Sequence, residues 1–152
     1  MKVCVGGTFN IFHKGHKKLL DKAFQIAGKN GVVYIGLIIG KMLSKKHFII
    51  PFEDRKREIK KYLKNGGYDN RAIIKPIHDI YGLAVDLDFD VIIVSPETIK
   101  NAEIINKERK KIGKKFLKII QIPFVLAEDN KPISSTRIYN NEINKEGRIL
   151  LQ

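Results

Sequence analysis

The chain has 152 residues, with 29 Lys and Arg against 16 Asp and Glu, a formal charge of +13. A hydrophobic share of 43% excludes a disordered polymer. The single cysteine, Cys4, excludes a disulfide framework or multi-cysteine zinc site, and no apolar run reaches the ~18 residues of a membrane span.

The charge points toward anionic partners such as nucleotides, phosphorylated metabolites, nucleic acid or a membrane surface. The opening apolar stretch is too short for a secretory signal, so a cytoplasmic location is expected. The length fits one domain over residues 1–152.

In chain order, residues 2–5 read as a short buried strand, ended by Gly6 and Gly7. Over 14–29, Leu19, Leu20, Ala23, Phe24 and Ala27 recur at helical spacing, and Gly28 and Gly31 mark the end. Residues 32–39 form a near-continuous apolar strand, as in a parallel sheet covered on both faces. A loop is expected over 41–50. Pro51 then opens a helix over 52–63, closed by Gly66 and Gly67.

Strands are predicted at 72–77, 90–95 and 117–125. A helix with a basic end lies between the last two, at 98–112. A final helix opens at Ser134, Ser135 and Thr136. The alternation predicts an α/β fold: a Rossmann-like, doubly wound, parallel five-stranded sheet with helices on both faces. In such sheets ligands bind beyond the carboxyl ends of the strands, at the switch point beside the first strand. The site is therefore expected after Val5, Ile39 and Val94.

The first of these places reads Gly6-Gly7-Thr8-Phe9-Asn10-Ile11-Phe12-His13-Lys14-Gly15-His16. The glycines permit a sharp turn and close approach to a ligand. The helix start offers N–H groups to an anion. His13 and His16, three apart, project toward one spot. The pattern is neither the dinucleotide fingerprint nor a P-loop.

Gly-Gly-Thr-Phe-x-x-x-His-x-Gly-His resembles the nucleotidylyltransferase superfamily with the His-x-Gly-His signature. Ile133-Ser134-Ser135-Thr136-Arg137 resembles its second motif. The segments Ser95-Pro96-Glu97-Thr98, Pro51-Phe52-Glu53-Asp54-Arg55 and Leu126-Ala127-Glu128-Asp129 are similar to the archaeal phosphopantetheine adenylyltransferases, over almost the whole chain. In that family Asp usually stands where this chain has Asn10.

The resemblance implies transfer of AMP from ATP to 4′-phosphopantetheine, giving dephospho-coenzyme A and pyrophosphate, with magnesium entering as MgATP and no protein metal ligand. It implies His13, His16, Lys46 and Arg137 as catalytic residues. Gly7, Thr8, Phe9, His16, Ser95, Glu97, Ser134, Ser135 and Thr136 are implied for ATP. Thr8 and Lys41 are assigned to the acceptor, with Lys45 an alternative to Lys46; Asp79 and Tyr81, at the end of the third strand, read either as an acceptor contact or as a plain turn. Arg137 is expected to act as a forked phosphate clamp, and Cys4 to be a small buried residue. A monomer is expected, without nucleic-acid or membrane partners.

Two other readings stand beside this one. The same chemistry could serve FMN, NMN or a polyol phosphate as acceptor. Alternatively, the lysines could mark a basic nucleic-acid-binding domain, which has no use for His-x-Gly-His. The cluster Lys107, Arg109, Lys110, Lys111, Lys114 and Lys115 lacks interleaved aromatics and reads as a solvated helix end. Asp86, Asp88 and Asp90 lack the glycine of a calcium loop and read as a polar turn. Residues 41–46 overlap by chance with the Lys-Met-Ser-Lys-Ser loop of aminoacyl-tRNA synthetases.

Overall fold

Apolar residues alternate along the first strand because its two faces meet different helices. Val3 and Val5 point to one side and Cys4 to the other. The computed structural model describes residues 1–43 and 48–150. Its strands are β1 (Lys2–Gly7), β2 (Val32–Ile38), β3 (Ala72–Ile77), β4 (Val91–Val94) and β5 (Lys118–Gln121). Its α-helices are α1 (Lys14–Ala27), α2 (Phe52–Asn65), α3 (Ile99–Lys111) and α4 (Ser135–Tyr139).

The five strands form one sheet in the order β3-β2-β1-β4-β5, and every pair is parallel. Helices α1 and α2 cover one face. Leu20, Ala23, Phe24, Ile59 and Leu63 pack there on Val3, Val5, Val33, Ile35, Val91 and Ile93. Helix α3 covers the other face with Ala102 and Ile105 against Cys4, Ile92 and Val94. This is the expected Rossmann-like architecture. The chain reverses its direction of winding between β1 and β4, so their carboxyl ends open onto the predicted crevice.

Several boundaries differ from the sequence expectation. Residues 40–43 form a 3₁₀ turn, Gly40–Leu43, instead of an open loop. Strand β5 stops at Gln121 because Pro123 has no N–H for a ladder. Ile122 makes the last link to the sheet, donating to the Val94 carbonyl at 2.8 Å. Lys45 and Lys46 lie outside the described residues.

The basic end of α3 also corrects the reading of a solvated face. Arg109 is only 2% exposed and donates to the carbonyls of Lys115, Ala84 and Leu87 at 2.7–3.0 Å. Lys114 donates to the carbonyls of Val85 and Asp86. Both therefore anchor the connection between β3 and β4.

At the opposite end of the sheet, Gly31 allows the turn into β2 to pass against backbone. A Cβ there would lie 2.0 Å from the Ala27 carbonyl oxygen and 2.5 Å from that of Met1.

Candidate active site

A cleft of about 770 Å³ opens at the carboxyl ends of β1 and β4, within the ordinary range for small-molecule sites. It is lined by the first motif, by Ser95 and Glu97 after β4, by residues 122–125 after β5, and by the start of α4. The two sequence motifs thus meet across one space. The side chain that joins them is Ser135. Its hydroxyl accepts from the Ile11 N–H at 3.1 Å and donates to the Ile11 carbonyl at 3.2 Å. Ser134 caps α4 by accepting from the Arg137 N–H at 3.2 Å. These hydroxyls hold the site together, and among the described residues the Thr136 hydroxyl, also in the cleft wall, has no hydrogen-bond partner.

The histidines cap α1 reciprocally. His13 Nδ1 accepts from the Gly15 N–H at 3.0 Å, and His16 Nδ1 accepts from the His13 N–H at 3.2 Å. Each bond needs a bare Nδ1, so each neutral ring carries its proton on Nε2. The rings stack with centroids 3.7 Å apart. Burial lowers the His13 pKa to about 4. Burial, and then the neighbouring His13, push His16 well below its ordinary value. The pair is therefore neutral at physiological pH and presents N–H donors, not charges.

Phe9 and Phe12 support His16 with ring centroids at 5.0 and 5.7 Å. Phe9 is 2% exposed and adopts φ +48°, a conformation that side-chain-bearing residues reach at a cost. Its ring packs over Gly7, where an added Cβ would lie 3.2 Å away. Gly15 has a similar spatial reason. A Cβ there would lie 2.8 Å from His13 Cε1 and 3.0 Å from His13 Nδ1.

The α1 start is less open to anions than its sequence suggests. The Lys14 N–H already donates to the Lys145 carbonyl at 3.0 Å, and the Gly15 N–H to His13. Two of the N–H groups at the helix start are thus already engaged within the protein.

Gly7, Thr8, Phe9, His13, His16, Ser95, Glu97, Ser134, Ser135 and Thr136 all line the cleft. Arg137, expected as a phosphate clamp, is not among the residues that line the cleft. Its guanidinium pairs with both carboxylate oxygens of Asp129, contacts Glu142 at 3.4 Å and donates to the Pro132 carbonyl at 3.0 Å. That pairing holds the Asp129 carboxyl below its usual range. Arg137 here fixes the turn before α4. Lys41 is exposed in the 3₁₀ turn and is not part of the cleft lining.

Asp79 and Tyr81 border a second cavity of about 80 Å³, which shares Gly6, Ile38 and Thr98 with the cleft. Its inner wall is apolar: Cys4, Tyr34, Ile92, Ala102 and Ile105. Burial pushes the Cys4 thiol up to about 12, against the small opposing pull of Arg109. Cys4 is thus an inert wall residue, as expected. The Asp79 carboxylate accepts from the Tyr81 and Gly82 N–H groups at 3.0 and 2.9 Å, so it shapes the turn at the cavity mouth.

Sequence reasoning missed Asn10, Phe48, Phe124 and Tyr139 as lining residues. It also missed Arg55, which is 3% exposed. Arg55 donates to the carbonyls of Ile50, Thr8 and Ile38 at 2.7–2.9 Å, beneath the cleft floor. Only its place in the segment Pro51-Phe52-Glu53-Asp54-Arg55, at the start of α2, hinted at a role.

Among the described residues no cluster of three or more His, Cys, Asp or Glu could hold a metal, and Glu97 is the one carboxylate in the cleft wall. No described helix is long and apolar enough to cross a membrane.

The profile of cytidylyltransferase-like proteins matches residues 4–141. A phosphopantetheine adenylyltransferase of Methanosarcina barkeri is 49% identical over 97% of this chain and 92% of its own length. One from Archaeoglobus fulgidus is 40% identical over 99% of this chain and 100% of its own. A crystal structure of a protein of unknown function from Archaeoglobus fulgidus superposes with a TM-score of 0.72 at 36% identity, covering 80% of this chain and 89% of that one. The chain belongs to the cytidylyltransferase-like family and, within it, to the archaeal phosphopantetheine adenylyltransferases.

Proposed function

We propose that the chain transfers AMP from ATP to the phosphate of 4′-phosphopantetheine, releasing pyrophosphate and forming dephospho-coenzyme A. A phosphate oxygen of the acceptor attacks the α-phosphorus of ATP. The new O–P bond forms as the bond to the β-phosphate oxygen breaks, and pyrophosphate leaves with the electron pair. Such a reaction needs positioning and charge stabilisation more than covalent help.

The observation that carries this reading is the histidine pair. Two neutral rings with bare Nδ1 atoms turned to backbone donors leave two Nε2–H groups for the cleft. There they stabilise negative charge developing on the α-phosphate and the leaving group. Thr8, Thr136 and the cleft-facing backbone hold the remaining phosphate oxygens. Magnesium enters as part of the nucleotide substrate, since it binds through phosphate oxygens and water with few protein ligands. Lys41, in the turn after β2, and Lys45 and Lys46, a few residues on in the sequence, are assigned the positive charge for the acceptor phosphate.

The relatives support pantetheine over the other acceptors: phosphopantetheine adenylyltransferases are 40–49% identical over nearly the whole chain. The second cavity, which joins the cleft at Gly6, Ile38 and Thr98 and has an apolar inner wall, is where the pantetheine arm would lie.

The test is pyrophosphate release with MgATP or MgCTP against phosphopantetheine, FMN, NMN and a polyol phosphate. Release is expected with MgATP and phosphopantetheine, with product mass equal to dephospho-coenzyme A. Release with FMN or NMN and none with phosphopantetheine overturns the assignment.

A further inference from the structure

Asn10 is 8% exposed in the cleft wall, and both ends of its amide are used. Nδ2 donates to the Phe48 carbonyl at 2.8 Å, and Oδ1 accepts from the Ile50 N–H at 2.8 Å. From the other side Arg55 Nε donates to the Ile50 carbonyl at 2.7 Å. Residues 48–50 are thus held from two directions. The Phe48 ring lies on Tyr139 of α4, centroids 4.1 Å apart and planes 13° from parallel, and both rings line the cleft. This stack joins the segment before α2 to the segment after the second motif.

We propose that Asn10 is a positioning residue for nucleotidyl transfer: its amide seats residues 48–50 so that Phe48 clasps Tyr139 and sets the width of the nucleotide cleft. The inference rests on the reading of this cleft as the nucleotide site. The family usually carries Asp here, but in this chain's seating, where the amide both donates to the Phe48 carbonyl and accepts from the Ile50 N–H, a carboxylate cannot make both bonds. It accepts but does not donate, and would set negative charge against the Phe48 carbonyl oxygen. A protonated carboxyl has one donor and one acceptor, and reproduces both bonds.

The experiment follows from that difference. Asn10→Asp and Asn10→Ala are assayed for kcat and KM for ATP between pH 5.5 and 8.5, each normalised to wild type at the same pH. Exchange of the Ile50 amide hydrogen is followed by NMR in parallel. The ionisable groups around Asn10 are His13, His16, Glu97 and Tyr139 in the cleft and Arg55 beneath it. Normalisation cancels the titrations that wild type and variants share, and Asn10→Ala, which adds no charge, is the reference for any shift a new carboxylate imposes on its neighbours.

At pH 8 Asn10→Asp is expected to lose about tenfold in kcat/KM and about tenfold in Ile50 protection, the scale of one net hydrogen bond. Both recover toward wild type as the pH falls. Asn10→Ala is low throughout. Wild-type behaviour of Asn10→Asp at pH 8, or a deficit that does not change with pH, overturns the proposal.

Should the Asn10 variants not fold, Phe48→Leu, Tyr139→Leu and the double variant test the clasp directly. Equal losses in all three are expected, and additive losses overturn it. Absence of pyrophosphate from the wild type defeats the reading of the cleft instead, and leaves the amide-exchange arm to judge the seating of residues 48–50.

Discussion

Gly15→Ala is the sharpest probe of the histidine pair, because it separates stability from catalysis. The new methyl would sit 2.8 Å from His13 Cε1, 0.6 Å inside the ordinary 3.4 Å contact limit, and 3.0 Å from Nδ1. The ring must swing away, and the bond from the Gly15 N–H to Nδ1 breaks. Losing that cap costs about 1 kcal/mol. Replacing a helical glycine by alanine returns up to about 1 kcal/mol. The folding free energy is therefore expected to change by less than about 1 kcal/mol. Catalysis has no such compensation. A displaced His13 withdraws one donor from the developing charge and loosens its stack on His16, a loss of about 10²–10³ in kcat. Calorimetry and pyrophosphate release on the same sample provide both numbers. Activity within threefold of wild type refutes the claim that Gly15 keeps His13 in place, and a collapsed melting transition refutes the compensation.

Acid should destabilise the protein through the same rings. His13 takes its proton near pH 6.5 when unfolded but only near pH 4 when folded, and His16 is shifted the same way. The unfolded chain therefore binds more protons in that window, so stability is full above about pH 6.5 and falls as the pH drops toward 4, by about 1.4 kcal/mol per pH unit per histidine. Urea midpoints measured from pH 7 to 4.5 read this slope, and His13→Gln should flatten it; an unchanged slope counts against His13 as its source. Gly31→Ala, far from the cleft, drives a methyl into two backbone carbonyls and should cost about 3 kcal/mol. Its kcat should stay at the wild-type value wherever the protein is folded, which thermal unfolding and assay at low temperature together check.

The sheet was legible because its strands are apolar runs separated by helical periods and glycine stops, and burial on both faces tolerates little else. The cleft was legible where a motif marks it: Gly7 to His16 and Ser134 to Thr136. What escaped the sequence are relations set by folding back of the chain. Nothing in the order of residues says that Arg137 turns to Asp129, since a left-handed Asn130 in the intervening turn brings them together. Arg109 sits among five lysines and looks like one more solvated cation. The connection between β3 and β4, packed beneath it, and the turn after α3 together make it a buried donor to three carbonyls. Asp79 and Tyr81 follow β3 and so face the second cavity. Asn10 and Phe48 lie 38 residues apart and meet where Arg55 bonds both segments, through the Thr8 and Ile50 carbonyls.

The hydroxyl of Ser135 meets Ile11 across 124 residues, and the Lys145 carbonyl reaches back to the N–H of Lys14. The cleft is therefore built from segments made at different times: the five strands and the imidazoles precede α4 in the chain, so on a growing chain they can form before the wall that Ser135 joins to them, and the cleft closes only once residues 134–145 fold back onto the first motif.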